Sequence, residues 1–185
     1  MAQSNFVIYA MPNDNSMHSH DRLLHCASLY SGLPPSAFCR EQQPNGKPVL
    51  KGGPDLHFSV SHSGKWWVCA FGPQEVGLDV QKNRPCRAQA LAKRFFHPDE
   101  AAYLQSKDFS LQEFYRLWTA KESYVKLSGR GFGKGFSTFS LIPQPVGPQW
   151  RYLSLEQNYT LCLCAEQIDQ VVIKHLTIND GGTLF

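Results

Sequence analysis

Several features that would settle the class of this 185-residue chain are missing from it. Charge of one sign is nearly balanced: a net +3 is too small to imply binding to nucleic acid. Long apolar runs are absent, none approaching the roughly 20 residues that cross a bilayer. The start, Met1 to Ala10, has neither the basic opening nor the long apolar core of a secretion signal, so neither export nor a membrane location is expected. Paired cysteines are absent too. The six cysteines are scattered, and Cys162 and Cys164 would share one face of a strand and could not bridge each other, which points to reduced thiols and a cytoplasmic protein. No low-complexity linker and no internal repeat divides the chain. Gly-x-Ser-x-Gly does not occur, and adjacency of Ser61, His62 and Ser63 makes no triad, which argues against a serine hydrolase. The glycine-rich stretch Gly129 to Gly135 does not end in Gly-Lys-Ser/Thr and follows no strand, so it is no P-loop.

With 42% hydrophobic and 18% charged residues, the chain is expected to form one compact domain with a sizeable core, or two small lobes sharing one. Phe6 to Ala10 reads as a strand, and Asp21 to about Gly32 as a helix with Leu23, Leu24, Ala27 and Tyr30 inward. Arg22 in its first turn is unfavourably placed unless an anion meets it. His18, His20 and His25 lack partnering ligands at metal spacing and read as surface residues. A turn at Asn45-Gly46-Lys47-Pro48 precedes strands at 56–60, 66–71 and 75–80. Helices follow from Arg87, from His97-Pro98 and from Ser110, the last ending at Gly129. Strands are expected near 136–141, 150–155, 159–165 and 171–178. Two halves thus share a helix-plus-sheet plan.

The stretch Trp118-Thr119-Ala120-Lys121-Glu122-Ser123-Tyr124-Val125-Lys126 carries the chemistry. Advancing about 100° per residue from Leu111 places Phe114, Tyr115, Trp118 and Val125 within about 60° of it and Glu122 at about 20°. A carboxylate therefore sits within the apolar stripe, where it is costly unless a lysine or a metal ion meets it. Asp79 at a strand end is the second acid, with Gly77 leaving room for close approach. Hard carboxylate oxygens suit Mg²⁺, and Lys47, His62, Lys121 and Lys126 are donors suited to phosphate oxygens. Together they point to a metal-assisted phosphoryl-type transfer.

Gly46-Lys47-Pro48, Phe58-Ser59-Val60-Ser61-His62-Ser63, Val76-Gly77-Leu78-Asp79 and the Trp118 to Lys126 stretch, in this order, resemble the surfactin-type (Sfp-type) 4′-phosphopantetheinyl transferases. The resemblance covers about Gly46 to Leu141, including Ala92 to Phe96 and the glycine-rich loop. It implies an α+β fold, a pseudo-dimer of two similar lobes, each a small antiparallel sheet packed with helices. One such domain would fill 1–185, with an N-terminal lobe of about 1–82 and a C-terminal lobe of about 83–185. The implied activity moves the phosphopantetheine arm of coenzyme A to a serine of an acyl, peptidyl or aryl carrier protein and releases 3′,5′-ADP. By motif position, Asp79 and Glu122 would hold Mg²⁺, and Lys47, Ser61 and His62 would bind the coenzyme's phosphates, with Lys47 and His62 near the 3′-phosphate. Glu122 would take the serine proton, directly or through water, and Lys126 would stabilise the leaving group. Arg22 matches a coenzyme-binding arginine loosely.

Two departures stand out. Gln81 replaces an acid common two residues after the metal aspartate, which predicts weaker Mg²⁺ binding with Gln81 still facing the metal or its water. The segment before Arg22 is short, which predicts lower coenzyme affinity or donors supplied elsewhere. The alternative is a non-catalytic protein that binds coenzyme A or a carrier; a phosphotransferase acting on a small substrate lacks any nucleotide motif. Either way the expected partners are coenzyme A and an apo carrier, with the protein a monomer, and the exposed basic segments 84–94 and 121–134 could meet an acidic carrier.

Overall fold

The computed structural model describes residues 5–44, 46–129 and 135–177. Strand β1 (Asn5–Pro12) lies between β5 (Trp66–Gly72) and β9 (Gln170–His175), and β4 (His57–Ser63) pairs with β5, giving a sheet of order β4-β5-β1-β9. Its pairs are antiparallel except β1 with β9, which run parallel. A second sheet, antiparallel throughout, has the order β6-β8-β7, from β6 (Gly77–Lys82), β7 (Gln149–Leu153) and β8 (Tyr159–Ala165). The division near residue 82 is crossed twice, since β6 joins the second sheet and β9 returns to the first.

Alternation along the strands builds the layers. Phe6, Ile8 and Ala10 of β1 and Val68 and Ala70 of β5 share one core with Leu78 and Val80 of β6 and Leu161, Leu163 and Ala165 of β8. Tyr9 and Met11 of β1 and Trp67, Cys69 and Phe71 of β5 meet helix α1 (Ser19–Ser31) through Leu23, Cys26 and Ala27. Over Cys162 on the second sheet lie α2 (Ala88–Phe95), α3 (Pro98–Ser106) and α4 (Leu111–Ser128). No described helix is long and apolar enough to cross a membrane.

Two local expectations change. Helix α1 begins at Ser19 with His18 as its N-cap, so Asp21 sits in the first turn and does not cap. The segment expected as a strand at 136–141 forms a single 3-10 turn, Phe136–Thr138, because its aromatics pack on helices: Phe136 on Trp118 and Phe139 on Tyr124. A hairpin of β2 (Cys39–Gln42) and β3 (Pro48–Lys51) frames the turn expected around Gly46.

Helix α4 is buried well beyond its apolar stripe. Lys121, expected among the phosphate donors, has no exposed side-chain surface and gives hydrogen bonds to both Glu100 oxygens, at 2.8 and 2.6 Å, and to the Phe139 carbonyl at 2.7 Å. Its role is corrected to a structural one, tying α4 to α3 and to the segment after the 3-10 turn. Glu100 also accepts from the backbone N–H of His97 and of Leu141. Burial lowers the Lys121 pKa, and the Glu100 charge opposes that shift.

Removing one partner of such a pair leaves the other charge buried. Lys121→Met is expected to cost about 3–5 kcal/mol, read as a lower urea midpoint at unchanged slope. A variant as stable as the parent would show that the pair does not hold these helices together.

Candidate functional site

The site begins with a strand that has serine at every second position. Ser59, Ser61 and Ser63 point to one side of β4, and their hydroxyls accept the backbone N–H of Leu78, Val80 and Lys82 on β6, at 2.9, 3.3 and 3.0 Å. Period two on β4 thus meets period two on β6, and the edges of the two sheets are joined through side chains. Glycine at 77 lets β6 lie against α4: a Cβ there would collide with the Ser123 carbonyl and the Leu127 N–H.

That contact brings Asp79 under α4. The Asp79 carboxylate, 2% exposed, accepts from the Ser61 hydroxyl at 2.7 Å and from Lys126 Nζ at 2.8 Å, both on Oδ1. Gln81 Nε2 donates to Oδ2 at 3.1 Å. Lys126 also donates to the Leu78 carbonyl at 3.0 Å. One turn before Lys126, Glu122 is 8% exposed and its side chain forms no hydrogen bond among the described residues. Burial pushes its pKa up to about 7, the Asp79 charge adds to the rise, and Lys126 opposes it. Two carboxylates therefore share one lysine.

Such a pair fits a hard cation. The protein offers Asp79 and Glu122 oxygens, and among the described residues no cluster of three His, Cys, Asp or Glu side chains gathers. A cation satisfied by two carboxylates, with water and substrate oxygens completing its shell, is Mg²⁺ in character. Gln81 as placed turns its amide nitrogen to Asp79, so only its oxygen remains for a metal or its water.

A cavity of 490 Å³ opens beside this corner. Lys126 and Val125 of α4, Phe58, Ser59, Val60 and His62 of the β4 strand, and Arg40, Lys47 and Pro48 of the hairpin line it, with Ser19 of α1. Lys47, His62 and Lys126 thus line one cavity. Lys47 Nζ is ion-paired with Glu75, whose other oxygen is 3.2 Å from His57 Nδ1. Burial raises the Glu75 pKa, but Lys47 and His57 outweigh it and hold the acid below its usual value.

Two expected coenzyme ligands are engaged elsewhere. Ser61 is 6% exposed and its hydroxyl hydrogen goes to Asp79, so it supports the acid from beneath instead of facing the cavity. Arg22 is 1% exposed and clamps the loop after β1: it donates to the carbonyls of Pro12, Met17 and Asp14 and forms an ion pair with the Asp14 carboxylate at 2.9 Å. The anion that its position in the first turn requires is Asp14. Arg22 does line a smaller, neighbouring hollow with His18, Ser19 and His62. The basic residues Arg130 and Lys134 lie outside the described residues. Arg40, Ser19 and Glu75 were not singled out by sequence; Arg40 stands seven residues before Lys47, and Glu75 four before Asp79, where only the fold shows their faces.

The model of the 4′-phosphopantetheinyl transferase superfamily matches residues 75–175, which include Asp79, Glu122 and Lys126. A 4′-phosphopantetheinyl transferase of Bacillus subtilis is 35% identical over 164 residues, covering 80% of this chain and 73% of that protein. The 4′-phosphopantetheinyl transferase Sfp of Bacillus subtilis (strain 168) is 35% identical over 141 residues, 69% of this chain and 62% of its own length. The 4′-phosphopantetheinyl transferase HetI of a Nostoc species is 37% identical over 112 residues, 57% of this chain and 47% of its own. The chain thus spans between about half and three quarters of the length of these curated relatives. With the matched segment carrying the two carboxylates and their lysine, this chain belongs to the 4′-phosphopantetheinyl transferase superfamily.

Proposed function

We propose that this chain transfers the 4′-phosphopantetheine arm of coenzyme A to a serine of an apo acyl or peptidyl carrier protein. The observation that carries the reading is the buried corner of Asp79, Glu122 and Lys126 beside a cavity lined by further cations. The carrier serine oxygen forms a bond to the phosphorus that bears the pantetheine, the pyrophosphate P–O bond on the far side breaks, and 3′,5′-ADP leaves. Glu122, raised toward neutral pH by burial and by Asp79, accepts the serine proton directly or through water. Lys126 is held by Asp79 and the Leu78 carbonyl, so its charge is pre-placed for the pyrophosphate oxygens and the leaving group. Asp79 and Glu122 would hold Mg²⁺, which supplies Lewis-acid neutralisation of pyrophosphate charge when bound. Lys47 and His62 face the cavity as donors for the coenzyme's other phosphate.

The carrier meets the exposed cations Arg84, Arg87, Lys93 and Arg94, which favour an acidic partner and raise its encounter rate. Lys121 is not among them, being buried. Work in the cytoplasm is consistent with cysteines that are all free, four of them buried. The shared core between the sheets supports one domain over 1–185, its lobes meeting near residue 82.

The first test is mass spectrometry of a purified apo carrier incubated with the protein, coenzyme A and Mg²⁺. A gain of one phosphopantetheine on the serine form only, lost with EDTA, is expected; coenzyme binding without any gain over several carriers would leave a non-catalytic binder. Glu122→Ala is expected to lower turnover by about 100-fold or more, the usual weight of a general base, and full activity would remove Glu122 from the site. Gln81→Glu adds a carboxylate beside Asp79 and is expected to lower the Mg²⁺ concentration needed for half-maximal rate; an unchanged requirement would place residue 81 away from the metal.

Glu122 also sets a pH dependence. Its folded pKa of about 7 lies above the usual 4.5, so between those values the folded chain holds more protons than the unfolded one. Stability of the metal-free protein is therefore expected to fall as pH rises through this window, by on the order of 3 kcal/mol in total, and to level off above it. Unfolding followed across the window should show this slope flattened in Glu122→Gln; the same slope in both proteins would contradict the raised carboxyl.

A further inference from the structure

Of the three serines on one side of β4, only Ser61 passes its hydroxyl hydrogen to another side chain among the described residues. A serine hydroxyl has a single hydrogen to give. At Ser61 it goes to Asp79 Oδ1 at 2.7 Å, while the oxygen accepts the Val80 N–H at 3.3 Å. Nothing remains to donate to a phosphate oxygen unless the buried Asp79 gives up its partner. Period two along β4 turns the next residue the other way. His62 is exposed and lines the 490 Å³ cavity, whereas Ser61 is 6% exposed and takes no part in its wall.

The carboxylate that Ser61 serves is held unevenly. An ionised carboxylate offers about four acceptor sites, about two on each oxygen. On Asp79, Oδ1 accepts from two elements at once, from β4 through Ser61 and from α4 through Lys126 Nζ at 2.8 Å, and is filled. Oδ2 accepts only from Gln81 Nε2 at 3.1 Å, so it alone has a site left. The two partners of Oδ1 differ in stiffness. Lys126 reaches it at the end of a flexible stem, its side chain 27% exposed. Ser61 is short and buried, and the Val80 N–H fixes its oxygen from the opposite side. Ser61 is therefore the rigid partner, and it sets how Asp79 presents Oδ2.

Resting on the transferase reading above for the identity of the metal and of the coenzyme, we propose that Ser61 is a positioning residue for Asp79. It holds Oδ1 so that Oδ2 is the oxygen left for Mg²⁺, and it binds no phosphate of coenzyme A. The adjacent Ser61 and His62 thus divide between two duties, one behind the metal acid and the other in the cavity wall. Partners that hydrogen-bond a metal-binding carboxylate raise affinity by fixing its orientation before the ion arrives. Ser61 touches no reacting atom, so its effect on the reaction passes through Asp79.

Two titrations of the full chain separate these duties: Mn²⁺ into the metal-free protein, followed by electron paramagnetic resonance, and 3′,5′-ADP in EDTA, followed by calorimetry. Ser61→Ala is expected to weaken Mn²⁺ by about tenfold or more, the usual weight of a lost partner of a metal ligand, and 3′,5′-ADP by less than about twofold. Ser63→Ala removes the neighbouring rung, the acceptor of the Lys82 N–H, without touching Asp79, and is expected to leave Mn²⁺ affinity unchanged. Weaker 3′,5′-ADP with unchanged Mn²⁺ would make Ser61 a phosphate ligand and overturn the proposal. Equal losses of both ligands, or the same Mn²⁺ loss in Ser63→Ala, would reduce Ser61 to a strut between the sheets and overturn it as well. So would a parent protein with no affinity for Mn²⁺. Should Ser61→Ala fail to fold, Ser61→Cys, whose thiol is a weak donor of similar size, decides by the same comparison. A parent that binds Mn²⁺ but neither 3′,5′-ADP nor coenzyme A would remove the transferase reading, and the Mn²⁺ affinities of Ser61→Ala and Ser63→Ala would still decide the duty of Ser61.

Discussion

The structure depends on one buried carboxylate, Asp79. Three elements converge on it: β4 through the Ser61 hydroxyl, α4 through Lys126, and its own strand β6 through Gln81. A carboxylate 2% exposed is costly unless nearly all its acceptor capacity is used. The site's chemistry and the joining of its two sheets are therefore one problem with one solution. The hydroxyl that donates to Asp79 also accepts the Val80 N–H, so one side chain both positions the acid and joins the two sheets.

Close packing makes this possible. Gly77 removes the one side chain that would separate β6 from α4, and the backbone of Ser123 fills the space. Only at that separation does Lys126 reach both the Leu78 carbonyl and Asp79. Burial raises the Glu122 pKa, and the same approach adds the field of Asp79 to that rise.

How much of this could be read from the residues depends on whether the partner lies nearby in sequence. Helix α4 was legible from Ser110 to Gly129, and Glu122 within its apolar stripe foretold a buried acid, because both follow from local periodicity. Lys121 was not legible. Its position off the stripe reads as solvent, and only Glu100, 21 residues earlier on another helix, makes its burial tolerable. The alternating serines of β4 were visible as a motif, but their acceptor role is set by β6, whose register against β4 no local pattern encodes. Likewise β2 and β3 are only four residues long and β2 is polar and exposed throughout, so the hairpin that carries Arg40 emerges only from the fold. The strand expected at 136–141 failed for a related reason: its aromatics, Phe136 and Phe139, stand three residues apart and pack on α4 from a turn, and apolar content alone does not distinguish the two.

The charge arithmetic of the corner explains why it is built with an imbalance. Asp79 and Glu122 against Lys126 leave one negative charge in excess when both acids ionise, and burial makes that excess expensive. The protein alone can relieve it only by keeping Glu122 protonated. A divalent cation changes the sign of the problem, turning the excess into affinity and lowering the cost of ionising Glu122. Gln81 limits how far this goes, since its amide donates to Asp79 without adding charge. The corner thus pairs two carboxylates with one lysine, and carries less negative charge than an acid at position 81 would give it.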